Sequence, residues 1–152
     1  MTRFSGDVAQ DTTTIERALG EQIAAINARD AARLAASYRE DAVVRDPQYA
    51  EPLRGRAAVE KDAEGYFRGF PDMRADVTCS VISGTTLAVE MTMEGTHTGP
   101  LALPTGEEVP PTNRSLRFRM AFFDTVDEDG RIIDERRYYD IADQLRQLGL
   151  DE

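Results

Sequence analysis

The sequence predicts an α+β fold in which N-terminal helices pack on one face of a curved antiparallel sheet, around a mostly apolar hollow. Three observations carry this. In the first half of the chain apolar residues recur at three- and four-residue steps, the period of a helix with one buried stripe. In the second half they alternate, the period of a half-buried strand. Helices followed by long strands, rather than strand–helix repeats, favour helices segregated to one side of the sheet.

Each element has its own signal. Thr13-Thr14-Ile15-Glu16 has the form of a capping box, and Ile15, Ala18, Leu19, Gln22, Ile23 and Ile26 continue it as one helical stripe. Asn27 to Asp30 breaks that helix, and Asp30 is placed to cap a shorter one carrying Leu34, Ala35 and Tyr38. Ala42 to Asp46 reads as a short strand stopped by Pro47. A third helix starts near Gly55, carries Val59, Ala63, Tyr66, Phe67 and Phe70, and ends at Pro71. Met73, Ala75, Val77, Cys79 and Val81 alternate in one strand; Leu87, Val89, Met91 and Met93 alternate in the next, a parity that runs on to His97. A loop from Gly99 to Thr112 leads to a strand with Leu116, Phe118, Met120 and Phe122 on one face. Asp127 to Gly130 turns the chain into a last strand, Arg131 to Tyr139, and Asp140 opens a terminal helix. In that last strand both alternating faces carry one Ile, one Tyr and one Arg, so pattern leaves the inward face open.

The 152 residues suit one domain, expected over 12–150 behind a tail at 1–11. That tail contains Asp7 and no apolar run, so it does not read as a signal peptide, and no stretch of about 18 apolar residues could cross a membrane. The formal net charge of −10, with no basic stripe, argues against nucleic acid and anionic membranes as partners. A single cysteine excludes an internal disulfide and suits a reducing, cytoplasmic location. One Cys and one His cannot build a Cys/His zinc site, and no calcium-loop spacing occurs, so no metal is expected.

The chain has no nucleophile elbow, phosphate loop or dinucleotide fingerprint. Cys79, amid apolar alternation, reads as an inert core thiol. Acid–base chemistry by histidine, carboxylates, tyrosines and arginine in a dry pocket remains. His97, the lone histidine, reads either as a proton shuttle facing the hollow or as a structural residue held in the Gly95–Gly99 turn. Asp140 reads either as a pocket carboxylate at the sheet rim or as a helix N-cap. Asp46 sits where the chain leaves its strand before Pro47, and turn chemistry accounts for it comparably well. Tyr38, Tyr66, Phe70, Met91, Met93 and Phe118 lie on apolar faces, as core or pocket wall.

Several segments resemble the SnoaL-like polyketide cyclase family: Gly95-Thr96-His97-Thr98-Gly99-Pro100, Pro110-Pro111-Thr112, Gly130-Arg131-Ile132, and Tyr138-Tyr139-Asp140 through Leu145 to Leu150. Asn27 to Asp30, Asp46-Pro47 and Pro52 to Gly55 match its first half. The resemblance implies a cone-shaped nuclear transport factor 2-like fold, a homodimer through the outer sheet face, and cofactor-independent chemistry on a small apolar organic ligand. Family cyclases close a ring by an intramolecular aldol step with a carboxylate base, and epoxide hydrolases of related fold activate water with an Asp in the final strand. In both, that Asp falls three residues before the strand-closing Asp, where this chain has Arg137. A guanidinium stays protonated and cannot be the base. The cyclases' second acid–base residue, a histidine in the fourth strand, has no counterpart among Phe118 to Phe123.

Family geometry brings Glu135, Arg137 and Tyr139 to the pocket. Arg137 would there stabilise an enolate or carboxylate, or else neutralise Glu135 or Asp46. The candidate catalytic set is thus His97, Arg137, Asp140 and Glu135, with Tyr139, Asp46, Tyr38, Tyr66, Phe70, Met91, Met93 and Phe118 around the ligand. Three functions fit: a cyclase or isomerase of secondary metabolism, a non-catalytic small-molecule binder, or an epoxide or lactone hydrolase.

Overall fold

Helix α1 (Thr12–Asn27) buries Ile15, Gln22, Ala25 and Ile26 along one stripe, the face the helical spacing marks. It opens the computed structural model, which describes residues 12–103 and 105–151; the expected tail at 1–11 lies outside the described residues. The helix ends where Arg29 takes a left-handed φ of 50° and the Asp30 N–H reaches back to the Ala25 carbonyl at 3.0 Å, satisfying a carbonyl the helix leaves open. Asp30 then caps α2 (Ala31–Ala35), its carboxylate accepting from the Arg33 N–H at 3.0 Å.

Tyr38, expected on this second helix, is instead the first residue of β1 (Tyr38–Arg45). Its pairing with Ile132 of the last strand outweighs the weak preference of a five-residue helix to continue. After β2 (Leu53–Arg54), α3 (Arg56–Gly69) lies across the sheet; β3 (Arg74–Ser83) and β4 (Thr86–Thr96) form a hairpin. The expected loop carries a small hairpin, β5 (Leu101–Ala102) with β6 (Glu108–Val109). β7 (Ser115–Val126), β8 (Ile132–Tyr138) and α4 (Ile141–Leu148) complete the chain.

The main sheet has the order β2-β1-β8-β7-β4-β3. It is mixed rather than wholly antiparallel, because β1 and β8 run parallel. Parallel neighbours need a long crossover, and everything between β1 and β8 supplies it. The helices and the inner faces of β4 and β7 share one core that includes Val59, Phe70, Met73, Leu87, Val89 and Leu116. Full burial of an apolar side chain of this size contributes about 1.5–3 kcal/mol.

Two bulges reset strand parity. In β3 the register slips between Val77, opposite Met91, and Cys79, opposite Glu90. One extra residue sends all that follows to the other face. Cys79 is therefore exposed, not a core thiol, and Val81 is 58% exposed. In β8 the slip falls between the Val126–Ile132 and Thr125–Asp134 pairs. Ile132 and Glu135 are both buried while Tyr138 is exposed, so neither alternating face is the inner one along the whole strand.

Beyond β4 the chain presses against α3. The Gly99 N–H donates to the Gly69 carbonyl at 3.2 Å, and a Cβ at position 99 would stand 1.9 Å from the Arg68 carbonyl oxygen; only glycine permits this approach. On the outer face Phe123 and Tyr138 meet edge to face at 5.9 Å, with the Arg136 guanidinium 5.6 Å above the Phe123 ring. No helix among the described residues is long and apolar enough to cross a membrane.

Candidate active site

Between α3 and the sheet lies a cavity of about 90 Å³. Met91 and Met93 of β4, Phe118 and Phe122 of β7, and Tyr66 and Phe67 of α3 give it apolar walls. Thioether and aromatic walls of this kind adapt to the shape of an apolar guest.

The polar end is built around Arg137. Its Nε donates to Glu135 at 2.7 Å, and its Nη1 donates to both Asp46 and Asp62 at 3.0 Å. The parallel β1–β8 pairing explains the first of those aspartates: Arg45 lies opposite Arg136, so the next residues along, Asp46 and Arg137, emerge side by side. Asp62 comes from α3. Tyr139, one residue past β8, donates its hydroxyl to Asp46 Oδ1 at 2.5 Å, and the Gln48 N–H donates to the same oxygen at 2.9 Å. Tyr49 donates to Asp62 at 2.6 Å. Beneath, the Tyr38 hydroxyl donates to Glu135 at 2.8 Å, and Gln22 reaches the same carboxylate at 3.4 Å.

Burial alone would weaken the charge on Arg137, but Glu135, then Tyr38, Asp62 and Asp46, more than reverse this and hold its pKa well above the usual value. It is a fixed cation facing three carboxylates. Tyr139 is pushed far above the usual tyrosine range by burial and by the adjacent Asp46, so it remains a neutral hydroxyl. Burial does the same to Tyr66, whose hydroxyl meets Gln144 of α4 at 3.3 Å. Among the described residues no three His, Cys, Asp or Glu side chains converge as metal ligands; the guanidinium occupies the centre of the acidic group instead.

Of the candidates named from sequence, Glu135, Arg137, Tyr139, Asp46, Tyr38, Tyr66, Met91, Met93 and Phe118 line this cavity, and His97, Phe70 and Asp140 do not. His97 is fully buried, as strand parity indicates, but it faces the far end of the core. Its Nδ1 accepts from the Thr112 N–H at 3.2 Å, its ring lies 5.3 Å from Phe70, and its backbone bonds Arg114 and Asn113. Burial lowers its pKa against an opposing bond at Gly99, so it is a neutral clamp between the end of β4 and the approach to β7. Phe70 fills the core between His97 and Tyr66. Asp140 is exposed and caps α4, accepting from the Asp143 N–H at 3.0 Å.

Asp62 and Asp124 escaped the sequence reading, although each carried a signal. Asp62 falls three residues after Val59 and four before Tyr66, on the inward stripe of α3. Asp124 continues the Leu116–Phe122 alternation and is 1% exposed. A charged residue in an apolar period was the mark in both.

The sequence matches the profile of the SnoaL-like polyketide cyclases over residues 16–148. The chain belongs to that family. Among solved structures it is similar to IdmH from Streptomyces antibioticus, a candidate polyketide cyclase, with 28% identity and a TM-score of 0.69 over 88% of this chain and 97% of that one. AclR from Streptomyces galilaeus, a candidate hydroxylase, aligns with 21% identity and a TM-score of 0.75, covering 90% of this chain and 82% of its own. An epoxide hydrolase of M. tuberculosis aligns with 20% identity and a TM-score of 0.65 over 90% of each chain. The last two likenesses are of fold, the nuclear transport factor 2-like arrangement of helices on a mixed sheet. No curated protein matches the sequence.

Proposed function

We propose that this protein is an acid–base enzyme that cyclises or isomerises a small, mostly apolar, uncharged molecule of polyketide or related secondary metabolism, without a tightly bound cofactor. The observation that carries this is Asp46: a carboxylate at the cavity wall, held on one oxygen by Tyr139 and on the other by Arg137. Such a group is oriented as a base toward a C–H beside a carbonyl. Asp46 takes the proton, and the electron pair moves into the carbonyl to give an enolate. As Asp46 loses its charge, the Tyr139 O–H is freed to donate to the new oxyanion. The enolate then attacks a second carbonyl, closing a ring whose new alkoxide takes the proton back from Asp46, or it is reprotonated at another carbon by Asp46. Arg137 acts on Asp46 rather than on substrate. Its bonded N–H groups are committed to three carboxylates, so an anionic ligand would meet excess negative charge at this end.

Epoxide opening is a second reading, favoured by two carboxylates, Asp46 and Asp62, sharing one guanidinium nitrogen and by the likeness to the M. tuberculosis hydrolase. One carboxylate would activate a water to attack an epoxide carbon, and the neutral Tyr139 hydroxyl would donate a proton to the ring oxygen as the C–O bond breaks.

A panel of poly-β-ketone and epoxide intermediates, followed by mass spectrometry in oxygen-18 water, tests both. Ring closure or isomerisation without label, slowed on the order of 10²-fold or more by Asp46→Asn, is expected. Label in the product moves the assignment to hydrolysis. Tight binding with no conversion of any member would mark a non-catalytic binder.

A further inference from the structure

Asp124 is a buried titratable group that the proposed chemistry does not use. On β7 it stands between Leu87 of β4 and Glu135 of β8 in the sheet register, and it is 1% exposed. Among the described residues, neither of its oxygens meets a hydrogen-bond donor. Its polar neighbour is the Glu135 side chain, itself 2% exposed. Two adjacent buried carboxylates would repel in a medium that screens them poorly, and each would lack its hydration. One proton removes the conflict: a neutral carboxyl on one residue donates to the carboxylate of the other.

Geometry decides which residue holds it. Glu135 already accepts from Arg137 Nε, from the Tyr38 hydroxyl and from Gln22, all of which favour its anion. Asp124 has none of these. We propose that Asp124 is a positioning residue: as a neutral acid it donates to Glu135, keeping that carboxylate anionic and aimed at Arg137, which in turn holds Asp46 and Asp62 at the cavity.

Electrostatics agree. Burial and then the Glu135 charge push Asp124 well above the usual carboxylate range; Arg137 of β8 opposes this, and Asp134 of the same strand adds to it. Burial would also raise Glu135, but Arg137, the bond from Asp124 and the bond from Tyr38 of β1 bring it below its ordinary value. From α1 only the uncharged Gln22 faces the pair. A raised folded-state value for Asp124 gives stability that is complete below the unfolded value near 3.8 and is lost progressively as pH climbs toward the folded value.

The positioning role concerns how the site is built, so it holds for any ligand and survives failure of the cyclase assignment. Chemical unfolding between about pH 5 and 7 compares wild type with Asp124→Asn, whose amide donates to Glu135 but does not titrate. Relative to the variant, the wild-type unfolding constant should rise about tenfold per pH unit until Asp124 ionises in the folded state. Identical pH profiles would overturn the proposal. Infrared spectra of the wild type at about pH 6, well above the ordinary carboxylate range, should retain the C=O band of one protonated carboxyl; its absence overturns the proposal even if the variant fails to fold. The positioning step is read from the Arg137 Nε–H resonance, identified by its loss in Arg137→Lys. It should stay protected from exchange in Asp124→Asn and lose protection in Asp124→Leu. Equal protection in both would leave Asp124 without influence on Arg137 and refute the role.

Discussion

Arg137 holds together a group that would otherwise fly apart: it is paired with Glu135, Asp46 and Asp62, and its side chain is only 12% exposed. Removing one partner of a buried ionic set leaves the others uncompensated, which is more costly than the net contribution of the pairs themselves. Arg137→Ala should therefore destabilise the fold by about 3–5 kcal/mol, as measured by urea unfolding near neutral pH. Arg45→Ala is the control. Its bond to Asp134 has a similar length, 2.8 Å, but side chains 55% and 35% exposed, and pairs in solvent contribute about 0–1 kcal/mol. Equal losses in the two variants would mean the Arg137 cluster is hydrated. At this scale the sequence was partly legible. Parity correctly marked His97 as buried, but burial does not say which part of the interior a ring faces, and here it faces Phe70 and Thr112. Arg137 had two open roles in the sequence, and its side chain pairs with Glu135 and Asp46.

Helix caps could be read from local sequence because a cap is a local event: Asp30 and Asp140 both bond the N–H three residues on. At the C-terminal end of α4, Gly149 takes a φ of 73°, the left-handed position that favours glycine. Asp140→Ala should cost about 1 kcal/mol of stability, as is usual for a lost N-cap, while product formation from the intermediate panel stays at the wild-type rate. Loss of turnover without loss of stability would return Asp140 to the site, as the alternative reading of the sequence had it. Strand faces were less legible. Alternation held along β4, where pairing with β7 runs without a slip from Thr86 to Thr96. It failed in β3, and in β8 it offered no choice of face; both strands carry a bulge, which is set by the partner strand's register and leaves no trace in the periodicity of its own residues.

The fold class and the element order followed from two periodicities and a few turn signals, since those are imposed by burying one face of each element. The cavity's polar end did not follow from them. It is assembled from positions as distant as Gln22, Asp46, Asp62 and Glu135, and it depends on the parallel β1–β8 pairing, which joins strands at opposite ends of the chain. No local pattern announces a contact of that range. Its consequence is a cavity with aromatic and thioether walls and an Asp46–Tyr139–Arg137 centre among its lining residues. The most direct measurement is a crystal structure with an uncharged polyketide analogue bound. A ligand oxygen within hydrogen-bonding reach of Tyr139 or Asp46, and an apolar body against Met91, Met93 and Phe118, is the expected result. A ligand seated beside His97, or bound outside this cavity altogether, would contradict it.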